Sequence, residues 1–143
     1  NVLFTCMSAT GNSVFLSGQR ALSYQISTNG AIAVNGVKSG LYGSRAAGDA
    51  LRGLLTQASP HMLAADHAAI AKRSIEAEAF VTAALQPVNL ATSFTPPAGT
   101  NSLASQLRVV ARVIAARAAL GVRRQVFMVS LGGFDTHDAQ LVN

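Results

Sequence analysis

Apolar and polar positions divide the chain into a strand- and turn-rich stretch to residue 43, a helical stretch over 44–121 and a final strand with its loop over 122–143. The first stretch opens on the nearly continuous apolar run Val2-Leu3-Phe4-Thr5-Cys6-Met7, which reads as a buried strand. A loop of small residues, Ser8 to Ser13, leads to Val14-Phe15-Leu16, which also reads as strand-like and is closed by Ser17-Gly18. Leu22 to Ser27 and Ala31 to Val34 then flank Thr28-Asn29-Gly30. An Asn-Gly pair supplies the positive φ values that a tight turn needs, so this segment predicts a β-hairpin. Asn35-Gly36 and Ser39-Gly40 punctuate the chain beyond the hairpin.

The pattern then changes to helical spacing. Ala46 to Gln57 predicts a short helix, and Ser59-Pro60 opens a longer one, with Ser59 as N-cap and Pro60 at the first helical position. Leu63, Ile70, Ala77, Val81 and Leu85 recur at intervals that fit one buried face of a helix running to about Leu85, with Lys72, Arg73, Glu76 and Glu78 mostly elsewhere. Pro87 and the stretch from Thr92 to Thr100, with Pro96-Pro97 and Gly99, predict a surface connection. Asn101 or Ser102 caps a third helix whose stripe is Leu103, Leu107, Val110 and Ile114, ended by Gly121 in the C′ role. Gln125 to Ser130 is β-branched, aromatic and uncharged, the composition of a strand buried on both faces of a parallel sheet. Helix followed by such a strand predicts an α/β fold with helices packed on a mainly parallel sheet.

In open α/β sheets, ligand sites collect beyond the carboxyl ends of the strands. Leu131-Gly132-Gly133-Phe134-Asp135-Thr136-His137 occupies that place. In extended chain, Asp135 and His137 fall on the same side, where a carboxylate oxygen and an imidazole nitrogen can converge on one divalent cation such as zinc. The alternative is that Asp135 caps a helix starting at Thr136, with Asp138 in its first turn. Two residues make only half of a catalytic zinc site, which usually takes three protein ligands.

The remaining polar residues add little chemistry. His61 and His67 are six apart, on different helix faces, and read as surface or partly buried. Glu76 and Glu78 diverge and read as solvated or paired with Lys72 or Arg73. Gly11-Asn12-Ser13-Val14-Phe15 lacks the second glycine of a nucleophile elbow, and the Gly11 to Gly18 region lacks the Gly-Lys-Ser/Thr ending of a phosphate-cradling loop.

Composition sets the outer bounds. Half of the 143 residues are hydrophobic and 12% are charged, enough apolar surface for a sizeable core and too much for general disorder. Cys6 is the single cysteine, so no internal disulfide can form, and it reads as a small core hydrophobe. No apolar stretch is long enough to span a bilayer. The net charge of +5 permits polyanion binding through Arg108, Arg112, Arg117, Arg123 and Arg124. With few aromatics nearby and no recognised module, a solvated arginine face is the preferred reading, and no nucleic-acid partner is expected. The chain opens inside an apolar run and stops soon after its most pointed motif, so residues 1–143 are expected to be one incomplete segment of a larger α/β domain, with the remainder of the parent chain as partner.

Four stretches together resemble a known family: Ser8 to Gly18, Arg73 to Glu78, Asn101 to Leu107 with Val110-Ala111-Arg112, and Arg124 to Phe127 through Gly132 to His137. They are similar to the bacterial domain-of-unknown-function family 1501, relatives of the alkaline phosphatases and sulfatases. The resemblance implies a partial alkaline phosphatase-like fold within a longer protein, usually exported to the periplasm through the twin-arginine route. It also implies a metal site at the strand ends, with Asp135 and His137 matching the family's aspartate and histidine; the better-known members place that pair farther apart. Further parts of the site, a serine or threonine region upstream and an Asp-His pair downstream, are expected outside this chain, which alone is not expected to be catalytically competent. The implied activity is hydrolysis of a small anionic phosphate or sulfate ester, and the alternative is an exported structural or binding protein that keeps the fold without turnover.

Overall fold

A computed structural model describes residues 2–11, 14–18, 22–94 and 102–132. Asn12, Ser13, the Pro96-Pro97 connection, the Asn101 cap, Asp135 and His137 lie outside them. The chain is α/β, with strands β1 (Cys6–Ser8), β2 (Ser23–Ser27), β3 (Gly30–Ala31) and β4 (Val126–Met128), and helices α1 (Arg45–Leu55), α2 (Met62–Leu85) and α3 (Ser102–Ala115). The strand order is β3-β2-β1-β4. Two compact units are present, residues 1–29 with 89–143, and residues 30–88.

In the first unit, β1 runs parallel to both β2 and β4, with Met7 opposite Tyr24 on one side and Phe127 on the other. Met7 is fully buried, and Phe4 packs edge-on against Tyr24 with ring centroids 5.3 Å apart. The apolar run before Met7 is strand only from Cys6; Val2–Phe4 form a 3-10 turn, closed by Thr5 N–H donating to Val2 O. Cys6 is half-buried, not a full core residue. Val14–Leu16 are a second 3-10 turn, not strand, with Phe15 90% exposed and only Leu16 turned inward. The expected hairpin forms, but with a return strand of two residues, and the positive φ belongs to Gly30 rather than Asn29.

The parallel setting of β4 matches its composition, whereas burial on both faces does not. Among the described strands it stands at the end of the sheet order, with β1 as its neighbour, and Val126 is 53% exposed. In α3 the buried side chains are Gln106, Val109 and Val113, continued by Ala116 and Leu120. The predicted stripe lies about one residue further round, and its Leu107 and Ile114 stay 40% and 44% exposed. α3 ends at Ala115, short of the stop expected at Gly121; the chain continues in turns to Gly121, whose φ of +66° and N–H bond to Ala118 O, with Val122 N–H reaching back to Arg117 O, close that turn segment in the manner of a glycine cap. Truncating the two faces separates them: Val109→Ala is expected to cost about 1.5 kcal/mol and Leu107→Ala less than about 0.7 kcal/mol in urea denaturation, because only the first removes fully buried methyl groups.

In the second unit, α1 contacts α2 and β3 packs on α2. Ser44 caps α1, its Oγ accepting from Ala47 N–H at 3.2 Å. Helix α2 starts at Met62 with His61 at the N-cap, not at Pro60. Ser59 Oγ accepts from His61 N–H at 3.2 Å, a cap-like turn one step ahead of the helix itself. The predicted stripe is buried at Ala77, Val81 and Leu85, but Leu63 and Ile70 are 67% and 54% exposed.

Candidate functional site

Because β1 is parallel to β2 and β4, the carboxyl ends Ser8, Ser27 and Met128 lie along one edge of the sheet. The segments leaving that edge are short and polar. Ala9 N–H donates to Met128 O at 3.0 Å, extending the β1–β4 ladder one step. Ser8 is fully buried, its Oγ accepting from Thr10 N–H at 3.3 Å and lying 3.2 Å from Thr10 Oγ1. On β2, Ser27 Oγ accepts from Asn29 N–H at 3.2 Å.

The exit from β4 is held by a helix. Gln106 of α3 accepts from Ser130 N–H through Oε1 and donates Nε2–H to Ser130 O, both at 2.9 Å. Two residues on, Gly132 has nothing within 4 Å of the place a Cβ would take. Asp135 and His137 come next in sequence, outside the described residues. The structure thus shows that β4 ends at the same edge as the hydroxyls after β1, which by sequence pattern are no more than a small-residue loop. Serine and threonine spacing alone gives no signal for them; only the parallel pairing of β1 with β4 does.

The histidines and glutamates singled out in the sequence at 61, 67, 76 and 78 belong to the second unit. His61 and His67 are exposed at the start of α2. Glu76 is exposed, while Glu78 is 7% exposed and is paired neither with Lys72 nor with Arg73. Its partner is Lys38, forty residues earlier, and Thr82 Oγ1–H donates to the same carboxylate oxygen at 2.7 Å. Burial pushes the Glu78 carboxyl up, but the hydrogen bonds from Lys38 and Thr82 and the attraction of the ammonium outweigh it, leaving the group below its ordinary value.

Between Glu78 and Asp135 the sequence holds no carboxylate, whereas Arg108, Arg112, Arg117, Arg123 and Arg124 all fall there. Arg123 and Arg124 precede β4 and so approach the sheet from the edge opposite the Ser8 and Ser130 segments. Among the described residues no group of three or more His, Cys, Asp or Glu side chains is placed to hold a metal ion, and no helix is long and apolar enough to cross a membrane. No family model, curated protein or solved structure matches the chain.

Proposed function

We propose that the protein containing this chain is an exported, metal-dependent hydrolase of small anionic phosphate or sulfate esters, built on an alkaline phosphatase-like fold, with Asp135 and His137 as metal ligands. The observation that supports it is positional. β4, which precedes the Asp135/His137 run in sequence, is parallel to β1 and ends at the same edge as the hydroxyl-bearing exit of β1, which is where α/β sheets gather ligands.

The donor set fits a divalent cation of the zinc type: a carboxylate and an imidazole, two residues apart. A cation bound there supplies Lewis-acid polarisation of the ester oxygen and lowers the pKa of an attacking hydroxyl or water. Of the described residues, the chain contributes Thr10 at the carboxyl edge, with buried Ser8 fixing the Thr10 backbone. The further ligands and the nucleophile come from the rest of the parent chain, so the segment alone carries no turnover.

In the full-length protein, Asp135→Ala is expected to abolish bound metal, read by elemental analysis of purified material. Metal content equal to wild type sinks the proposal. The second reading is an exported binding or structural protein of the same fold. It is favoured by the lack of any described Asp, Glu or His in the unit that carries the carboxyl edge, and metal-loaded wild type that hydrolyses neither phosphate nor sulfate esters would establish it.

A further inference from the structure

The middle of α3 holds an amide where its neighbours are aliphatic. Gln106 is 7% exposed and begins the stripe Val109, Val113, Ala116 and Leu120, each of them buried. Burying a primary amide is costly unless its donor and acceptor are both used, and the residue that uses them is Ser130. One Gln106 oxygen and one Gln106 nitrogen bond the N–H and the C=O of the same residue, each at 2.9 Å, as a strand residue bonds its opposite number in a ladder. The β1–β4 pairing runs through Ser8 and Met128, with one further bond from Ala9 to Met128. At Ser130 the partner is therefore a side chain of α3.

We infer that Gln106 is a positioning residue: it acts as a one-residue substitute strand that fixes the chain beyond β4 at Ser130, just ahead in sequence of the Gly132 to His137 run. Both of its described hydrogen bonds are to backbone. They are indifferent to the side chain at position 130 and specific for the path of the main chain. A residue that only filled the helix core would be served by leucine or methionine, which match the rest of the stripe. The amide is needed because the β4 exit has a donor and an acceptor to satisfy after the ladder with β1 has ended. What the positioned run does rests on the proposed metal site; that Gln106 holds Ser130 does not.

The test compares Gln106→Met with wild type in the full-length protein. Methionine keeps the volume and the helix propensity and removes both hydrogen bonds. Hydrogen exchange at Ser130, Leu131 and Gly132 is expected to quicken at least about tenfold beyond any change at Val109 and Val113. Zn²⁺ affinity, read by competition with a chromophoric chelator, is expected to fall about 10- to 100-fold, the effect of losing an outer support of a metal ligand. Gln106→Leu, which likewise removes both hydrogen bonds and matches the aliphatic stripe, should give the same pattern on both readouts and carries the comparison if the methionine variant does not fold. Unchanged exchange at Ser130, equal acceleration throughout the protein, or faster exchange with unaltered Zn²⁺ affinity each overturn the inference. A wild-type protein that binds no Zn²⁺ overturns the metal reading alone, and exchange at Ser130 then decides the role of Gln106.

Discussion

Gly48→Ala is expected to destabilise the protein by about 3 kcal/mol, although alanine is the better helix former by about 1 kcal/mol. Gly48 lies in α1, where an added Cβ would meet Gly36 O at 2.6 Å and Gly40 Cα at 3.0 Å. Both are backbone atoms, so no side chain can swing aside. The loop is also not free to retreat. Gly36 and Gly40 sit at φ of +80° and +81°, and the space at Gly40 already ends on Ser44 O at 3.0 Å, within the residue that caps α1. Gly53, five residues along the same helix, has nothing within 4 Å of its missing Cβ. Gly53→Ala should therefore raise stability by up to about 1 kcal/mol through helix propensity alone. Urea denaturation of the two variants gives opposite signs if the loop crosses α1 this closely; equal shifts rule out the close crossing.

That crossing lies beyond what residue order can show. Gly36 and Gly40 stand out as turn residues, but nothing in the order of residues says that Gly48 is the third member of a contact with them. The existence of each helix is legible because periodicity is local; its ends and the face it buries are less so. In α3, the pairs Val109-Val110 and Val113-Ile114 offer two apolar stripes about 100° apart. The buried one contains Gln106, the residue that hydropathy would reject, because its amide is satisfied by Ser130 twenty-four residues away. In α2 the stripe is read correctly at Ala77, Val81 and Leu85 and fails at Leu63 and Ile70, since periodicity says which side is apolar and not how far along the helix a partner extends.

The candidate site divides in the same way. An uncharged run ending at Ser130 is enough to place Gly132 to His137 after a strand, and the strand is parallel as expected. Composition could not tell a central strand from an outer one, because β4 has the residues of the first and, among the described strands, the position of the second. The groups beside its exit were invisible for a different reason. Ser8 and Thr10 come to that edge through pairing of β1 with a strand more than a hundred residues later, and two hydroxyls in a loop carry no spacing signal of their own.

Replacing Lys38 by methionine is expected to cost about 2 kcal/mol at neutral pH, which for a chain of this length lowers the thermal midpoint by roughly 8 °C. The reason lies in the asymmetry of the pair: the Lys38 side chain is 52% exposed and that of Glu78 is 9% exposed. Without the ammonium, the carboxylate stays buried with Thr82 as the donor described for it, whereas the full penalty for breaking a buried pair is reduced here because water reaches the lysine side. The sign of the pH dependence comes from the depressed Glu78 group. A carboxyl whose folded value lies below its unfolded one stabilises the fold above the unfolded value, near 4.5, and that stabilisation is lost as pH falls through the folded value. In Lys38→Met the burial that pushes the group up is no longer outweighed, so Glu78 takes its proton more readily in the folded state than in the unfolded one and the variant recovers relative stability in acid. Denaturation midpoints of wild type and variant should thus differ most at pH 7 and converge towards pH 3. Glu78→Gln, which keeps a hydrogen-bonding side chain and removes the charge, should flatten the pH dependence in the same window. A gap between wild type and Lys38→Met that is as wide at pH 3 as at pH 7 would mean that the contact is packing of the lysine stem and not an ion pair.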